Sequence, residues 1–347
     1  MIHPHLAHGS HIVSRMDGDA WAAQAGAGRP ASDALRPMVP TATPLPSAHK
    51  KGLGATVRRD AWWLYPTVVG TILLSFVVYS TWAGFQAGWH WVNGTGYLSP
   101  FYSPEIFGTS PHAISQSIPG WWPLGLVAFS SAFLILMVPA GFRLTCYYYR
   151  KAYYRSIWQD PVACAVGEPR ASYWGENRLP LILWNAHRYM LYLALILGFI
   201  LLYDGIHAFF FPVNADGSQF LWTVANGQAI TGAAYEQTAA NMAQGTPAGW
   251  SFGIGLGTLI LIINPLLIMG YTLGCHSLRH IVGGGCDRYR TPVQKARHGI
   301  WRFVTKLNEH HEFWAMASLF WVGLSDVYVR GLAHGWWTET YLINPFK

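Results

Sequence analysis

Residues 179–211 read LPLILWNAHRYMLYLALILGFILLYDGIHAFFF. A helix needs about 20 mostly apolar residues to cross the hydrocarbon core of a bilayer. This run exceeds that length, so as a membrane span it tilts or projects beyond the bilayer. Four more stretches meet the same requirement: Trp62 to Gly84, Trp121 to Tyr147, Trp250 to Leu273, and Phe313 to Val329. The last has an amphipathic lead-in from about Gln294. Trp62, Trp63, Trp121, Trp122, Trp250, Trp336 and Trp337 crowd the ends of these runs, where interfacial anchors belong.

Composition agrees. Charged residues are 11% of the 347, against about 25% in an ordinary soluble chain. Apolar residues are 52%, with 18 Trp. A water-soluble domain has no place to hide so much apolar surface, whereas a bilayer removes the need. The expected fold is therefore an all-α membrane protein, a bundle of five transmembrane helices. The expected division is a Pro/Ala/Gly/His-rich tail over 1–58 and a membrane domain over 59–347. The tail buries too little apolar surface to offset its ordering entropy, and it lacks the short apolar core of a secretory signal. Its His3, His5, His8 and His11 read as an incidental cluster.

Orientation follows from Lys and Arg. The stretches Gly84 to Trp122 and Tyr203 to Trp250 contain neither residue. The connection between the second and third spans carries Arg143, Arg150, Lys151, Arg155, Arg170 and Arg178. That between the fourth and fifth carries Arg279, Arg288, Arg290, Lys295, Arg297, Arg302 and Lys306. Basic loops stay cytoplasmic, so the N-terminus is expected inside and the C-terminus on the far side. The net charge of +7 is concentrated in these loops and the tail, so it says little about nucleic acid, and none is expected as a partner. Four Cys in a chain this size do not suggest a disulfide framework. No internal repeat is evident, so an inverted-repeat transporter is not supported.

The chemistry-bearing residues gather at the basic face. Cys146 ends the second span, Cys164 follows in the loop, and His187 lies near the start of the third span. Cys275, His276 and His280 end the fourth, and His310 and His311 open the fifth. Each has an ordinary reading. A lone Cys near a helix end is commonly a small buried hydrophobe. His276 and His280, four apart, share a helix face and could be a metal-binding arm or a polar face under the headgroups. His310 and His311 point about 100° apart, so at most one faces a given site. Cys286, in GGGCDR, reads as a loop residue with no role. Taken together, thiols and imidazoles from several helices at one depth suit a redox group better than structural zinc, whose ligand spacings are normally short. Two Cys with two His is the donor set of a Rieske [2Fe–2S] centre. Haem b is the alternative, on His187 with His276 or His311. A transport or scaffold protein without a redox group is a further alternative.

Several motifs resemble a known family. They are YSTWAGFQ, YLSPFYSPEIFG, RLTCYYYRKAYYR, CAVGEP, RLPLILWNAHRY, YTLGCHSLRH and KLNEHHEFWAMASLFW, spread from about Arg59 to Phe346. They are similar to the single-chain membrane anchor of type F succinate dehydrogenase. The resemblance implies a component of respiratory complex II in the bacterial cytoplasmic membrane. Partners would be an FAD-bearing flavoprotein subunit and an iron–sulfur subunit, docked on the cytoplasmic side. The succinate-oxidising site would lie on a partner. This chain would hold a Rieske-type cluster and reduce quinone. Four of Cys146, Cys164, His187, Cys275, His276 and His280 are expected as cluster ligands, with Cys146, Cys164, His187 and one of His276 or His280 favoured and Cys275 the rival thiolate. Tyr147, Trp184, Arg188, Lys306, His310 and His311 are the expected quinone contacts.

Overall fold

A computed structural model describes residues 52–86, 88–108, 110–115, 130–169, 175–223, 243–285 and 287–347. All belong to the unit Lys50–Lys347. The tail histidines, Trp121, Trp122, Arg170 and Cys286 lie outside the described residues.

The described chain is mostly helical. Helix α1 is Leu64–Gln86, α2 Ala132–Thr145 and α3 Tyr147–Tyr153, the last extended by a π turn over Tyr154–Trp158. A 3-10 segment, Leu181–Ala186, leads into α4, His187–His207. Then follow α5 (Leu256–Leu273), α6 (His276–Gly283), α7 (Pro292–Glu309) and α8 (His311–His334). Strand β1 (Phe210–Val213) pairs antiparallel with β2 (Gly249–Phe252), and β3 (Ile254–Gly255) pairs antiparallel with β4 (Tyr341–Ile343).

Three segments are long and apolar enough to cross a membrane: α1, Leu181–His207 and α5. A fourth joins them if α2 and α3 with its π turn, bent by 80° at Cys146, count as one span. In α1 and Leu181–His207 only 22% of the most apolar window is buried against protein, so their apolar surface is turned outward. In α5 the figure is 44%, which marks it as the central helix, packed on both α4 and α8. Helix α8 falls outside the apolar set because its inner face is polar: Ser318, Ser325, Asp326 and Arg330 are all buried.

Several expected boundaries move. The third apolar run leaves the helix after His207, and the fourth becomes helical only at Leu256. At the ends of these two runs Phe210, Phe211 and Trp250 are drawn into the β1–β2 ladder. The second span stops at Thr145, one residue before Cys146. The lead-in to the fifth is a separate helix, α7, started by a capping box of Thr291 and Gln294 with Pro292 at its first position.

Candidate functional site

Cys146 and Cys275 each occupy a break between two helices. Cys146 (φ −66°, ψ 133°) ends α2 and caps α3. Cys275 (φ −66°, ψ 135°) follows α5 by two residues and caps α6. Their backbone bonds match as well. The Cys146 N–H donates to Arg143 O at 3.1 Å and its carbonyl accepts from Arg150 N at 2.8 Å. The Cys275 N–H donates to Thr272 O at 3.3 Å and its carbonyl accepts from Arg279 N at 3.1 Å. An extended residue at a helix end turns its side chain away from the helix surface. Here that direction leads into the core, and both thiols are buried.

Two imidazoles meet them, each on the first residue of a long helix. His187 opens α4 and brings Nε2 to 3.2 Å from Cys275 Sγ. His311 opens α8 and brings Nε2 to 3.6 Å from Cys146 Sγ. The packing is crossed. Phe142, four residues before Cys146, stacks on His187 at 4.6 Å, and His187 meets the other cysteine. Tyr271, four residues before Cys275, stacks on His311 at 4.9 Å, and His311 meets Cys146. The site thus has approximate two-fold symmetry in its local parts.

The surroundings bias the donors. Thr145 Oγ1 donates to the Gly141 carbonyl at 2.8 Å and lies 2.9 Å from His187 Nδ1. The hydroxyl proton is used on the carbonyl, so the oxygen accepts from Nδ1–H. That leaves the Nε2 lone pair of His187 toward Cys275, the tautomer a metal ligand needs. His311 Nδ1 is buried without a hydrogen-bond partner. Arg143 supplies a fixed cation one turn before Cys146. It donates to the Tyr149 hydroxyl, to Ala315 O at 3.1 Å and to Ser318 Oγ at 3.0 Å, and it lies over the Tyr149 and Tyr271 rings. Gly274 permits the approach of the α7–α8 turn: a Cβ there would stand 2.8 Å from Gly270 O and 3.1 Å from the Leu307 backbone.

The remaining sequence candidates fall elsewhere. Cys164 is exposed in a loop, where its carbonyl accepts from Arg58 and its neighbour Ala165 accepts from Thr56. These bonds, made by backbone carbonyls, tie the loop to the segment that precedes α1. His276 and His280 are exposed and contact each other, Nε2 to Nε2, at 3.0 Å. Among the described residues, no three His, Cys, Asp or Glu converge on a point that suits a single metal ion. The donors come as two pairs.

Of the expected quinone contacts, Tyr147, Arg188, Lys306 and His310 are exposed. Trp184 lines a cleft of about 760 Å³ between α1, α2 and the α3 region, together with Tyr153, Trp158, Met137, Arg143 and Tyr149. Trp184 Nε1 is buried there with no hydrogen-bond partner. Arg143, Tyr149, Tyr271, Phe142 and Thr145 were not singled out as site residues from sequence. The one available signal was Arg143, a cation inside an apolar run that was counted among the loop charges.

Outward-facing apolar helices, with buried thiols paired to half-buried imidazoles at one end, define a helical membrane protein of the anchor class. The chain belongs to the actinobacterial succinate dehydrogenase subunit SdhC family, whose model matches residues 64–231 and 228–335. Among solved structures it is similar to a chain of the Mycobacterium smegmatis Sdh1 complex in the apo form, with 36% identity and a TM-score of 0.63. That match covers 83% of this chain and 94% of the other. No curated protein matches the chain. It is a membrane-anchor subunit within a succinate dehydrogenase complex.

Proposed function

We propose that this anchor also carries electrons, passing them from the soluble part of the complex to quinone through a Rieske-type [2Fe–2S] cluster held by Cys146, Cys275, His187 and His311. One observation carries the reading: two buried thiols and two half-buried imidazoles from separate helices meet in crossed pairs, and one imidazole has its Nε2 left open by a hydrogen bond at Nδ1. The donors are the two-Cys, two-His set that such a centre requires. Bound there, the cluster would supply one-electron transfer. His311 thereby moves from quinone contact to ligand, and Cys275 takes the place first given to Cys164.

The protein's own residues do the rest. Thr145 holds the tautomer of His187. Phe142 and Tyr271 cover the imidazole faces and keep water away. The Arg143 cation, fixed by three acceptors, stabilises negative charge that develops nearby. The cleft lined by Trp184, Tyr153 and Tyr149 opens between apolar helices, which suits a lipid-soluble quinone, and Trp184 Nε1–H is a donor for its oxygen. The flavoprotein and iron–sulfur subunits dock on the basic face, taken as cytoplasmic, in a five-span bundle of a bacterial cytoplasmic membrane. Part of that basic charge serves the fold itself: Arg297 donates to the Val282 and Gly284 carbonyls, and Arg150 pairs with Glu176 at 3.1 Å.

The test is spectroscopy of the purified, reduced complex. A Rieske-like paramagnetic signal that disappears in Cys275→Ala is expected, without haem absorption bands. Haem bands with no such signal would replace this reading by a dihaem anchor.

A further inference from the structure

A cavity of about 120 Å³ lies inside the bundle. Its wall follows α2 from Ile135 to Arg143, a run of about 12 Å at 1.5 Å per residue. One end is formed by Arg143 and Tyr271, at the thiol–imidazole site. Ser103, from the Lys- and Arg-free loop, lines the same cavity. Pro139, also on the wall, has no N–H, so the Ile135 carbonyl loses its helical donor. A buried water needs about 10–15 Å³ and a few polar partners; the volume holds several, and in a mostly apolar wall Ser80, Ser103, Arg143, Tyr271 and Thr272 are the side chains that could partner them.

The Ser103 hydroxyl donates to the Asp204 carboxylate. Asp204 in turn lines a second, open cleft of about 460 Å³, with Glu105, His112 and His207, rimmed by the exposed Tyr203, Ile114 and Trp250. The Asp204–Ser103 bond therefore joins the open cleft to the inner cavity. Glu105 Oε1 lies 3.3 Å from His90 Nε2, and His112 Nε2 is buried in the cleft wall without a partner. A carboxylate inside an apolar helix is costly and calls for a functional reading. The other such carboxylate, Asp326, gives a contrast. It is fully buried and saturated by Arg330 at 2.7 Å, Tyr79 at 2.5 Å and Ser99. That group is a structural lock, whereas Asp204 lies against an open cleft.

We propose that Asp204 and Ser103 form the entrance of a proton route from the face opposite Cys146 and Cys275, through the inner cavity to Arg143, supplying the protons of quinone reduction. The proposal rests on the quinone-reducing reading above. Succinate oxidation yields fumarate, two electrons and two protons, the protons leaving on the basic face. Quinone takes the two electrons and, by this route, two protons from the opposite aqueous phase to become quinol. Turnover moves two positive charges toward the basic face.

The experiment uses the whole complex in liposomes with an entrapped pH dye. Succinate and a short-chain quinone are added outside, so only complexes with the succinate site outward turn over. Valinomycin and potassium remove the opposing potential. The lumen is expected to become alkaline as quinone is reduced. Asp204→Asn and Ser103→Ala should each slow that signal about tenfold or more, with succinate oxidation by a soluble dye unchanged and Ser103→Thr restoring the signal. Ser103→Ala carries the test if the Asp204 variant fails to assemble. Quinone reduction by the unmodified complex with a flat lumen signal would overturn the route, as would alkalinisation that survives both variants. A complex that oxidises succinate with the dye but reduces no quinone would instead bring down the functional reading itself, and the route with it.

Discussion

Cys146 and Cys275 have the same backbone conformation to within 2° in ψ, and each is met by an imidazole that stacks on the aromatic ring one turn before the other cysteine. Neither half of the arrangement closes alone. Phe142 supports the histidine that serves Cys275, and Tyr271 supports the one that serves Cys146. Displacing one half is therefore felt in the other.

Removing any of the four donors should abolish quinone reduction. Cys146→Ala, Cys275→Ala, His187→Ala and His311→Ala should each lower it by about 100-fold or more, with dye-linked succinate oxidation on the partner subunits retained. Cys164→Ala should behave as the unmodified protein. Steady-state assays with quinone and with dye, run side by side, distinguish these outcomes. Full quinone reduction in His311→Ala would return the fourth donor to His276 or His280.

Thr145→Val removes the oxygen that accepts from His187 Nδ1 and keeps the side-chain shape. Loss of such an outer partner typically costs about 10–100-fold in metal affinity or activity. The expected result is lower iron content and slower quinone reduction, with Thr145→Ser restoring both. Unchanged iron content in the Val variant would mean that the hydroxyl does not orient the ring.

Arg330→Leu leaves Asp326 charged and buried among Ser99 and Tyr79. Breaking one side of a buried pair costs about 3–5 kcal/mol. The complex should melt at a lower temperature in detergent, and the double variant with Asp326→Leu should recover part of the loss, since removing both charges removes the uncompensated one. Thermal unfolding of the three proteins decides.

Burial pushes the His112 pKa down to about 4 from an ordinary 6.5, against the opposing pull of Glu105. The unfolded chain then binds the proton first on acidification. Stability should be flat above pH 6.5 and fall as the pH drops from 6.5 toward 4, by about 3 kcal/mol when complete. Melting temperatures of the unmodified protein and His112→Phe, measured from pH 7 to pH 4, should diverge only below pH 6.5. Parallel curves would place the acid sensitivity elsewhere.

The helical bundle was legible because apolar length is a property of the sequence alone: the runs around Leu74, Leu195 and Leu261 announce themselves. The ends of the runs were less so. Phe210 and Trp250 are as apolar as any helical residue, and only pairing across the chain makes them strand. The location of the site at the basic face was also readable, since its residues sit at span ends. The choice among them was not. Cys146 and Cys275 become equivalent through helix breaks that no proline marks, and Cys164 differs from them only by a loop that folds outward. Which of His310 and His311 turns inward depends on where α8 restarts, a fact of φ and ψ at His310.

The four donors also lie far apart in the chain, with Cys146 and His311 separated by 165 residues. A nascent polypeptide that has not yet threaded α8 offers three donors and an open side. On the cluster reading proposed above, the group would be inserted only once α8 is in place. On that reading, a chain cut short before α8 would lack the His311 donor and hold no cluster.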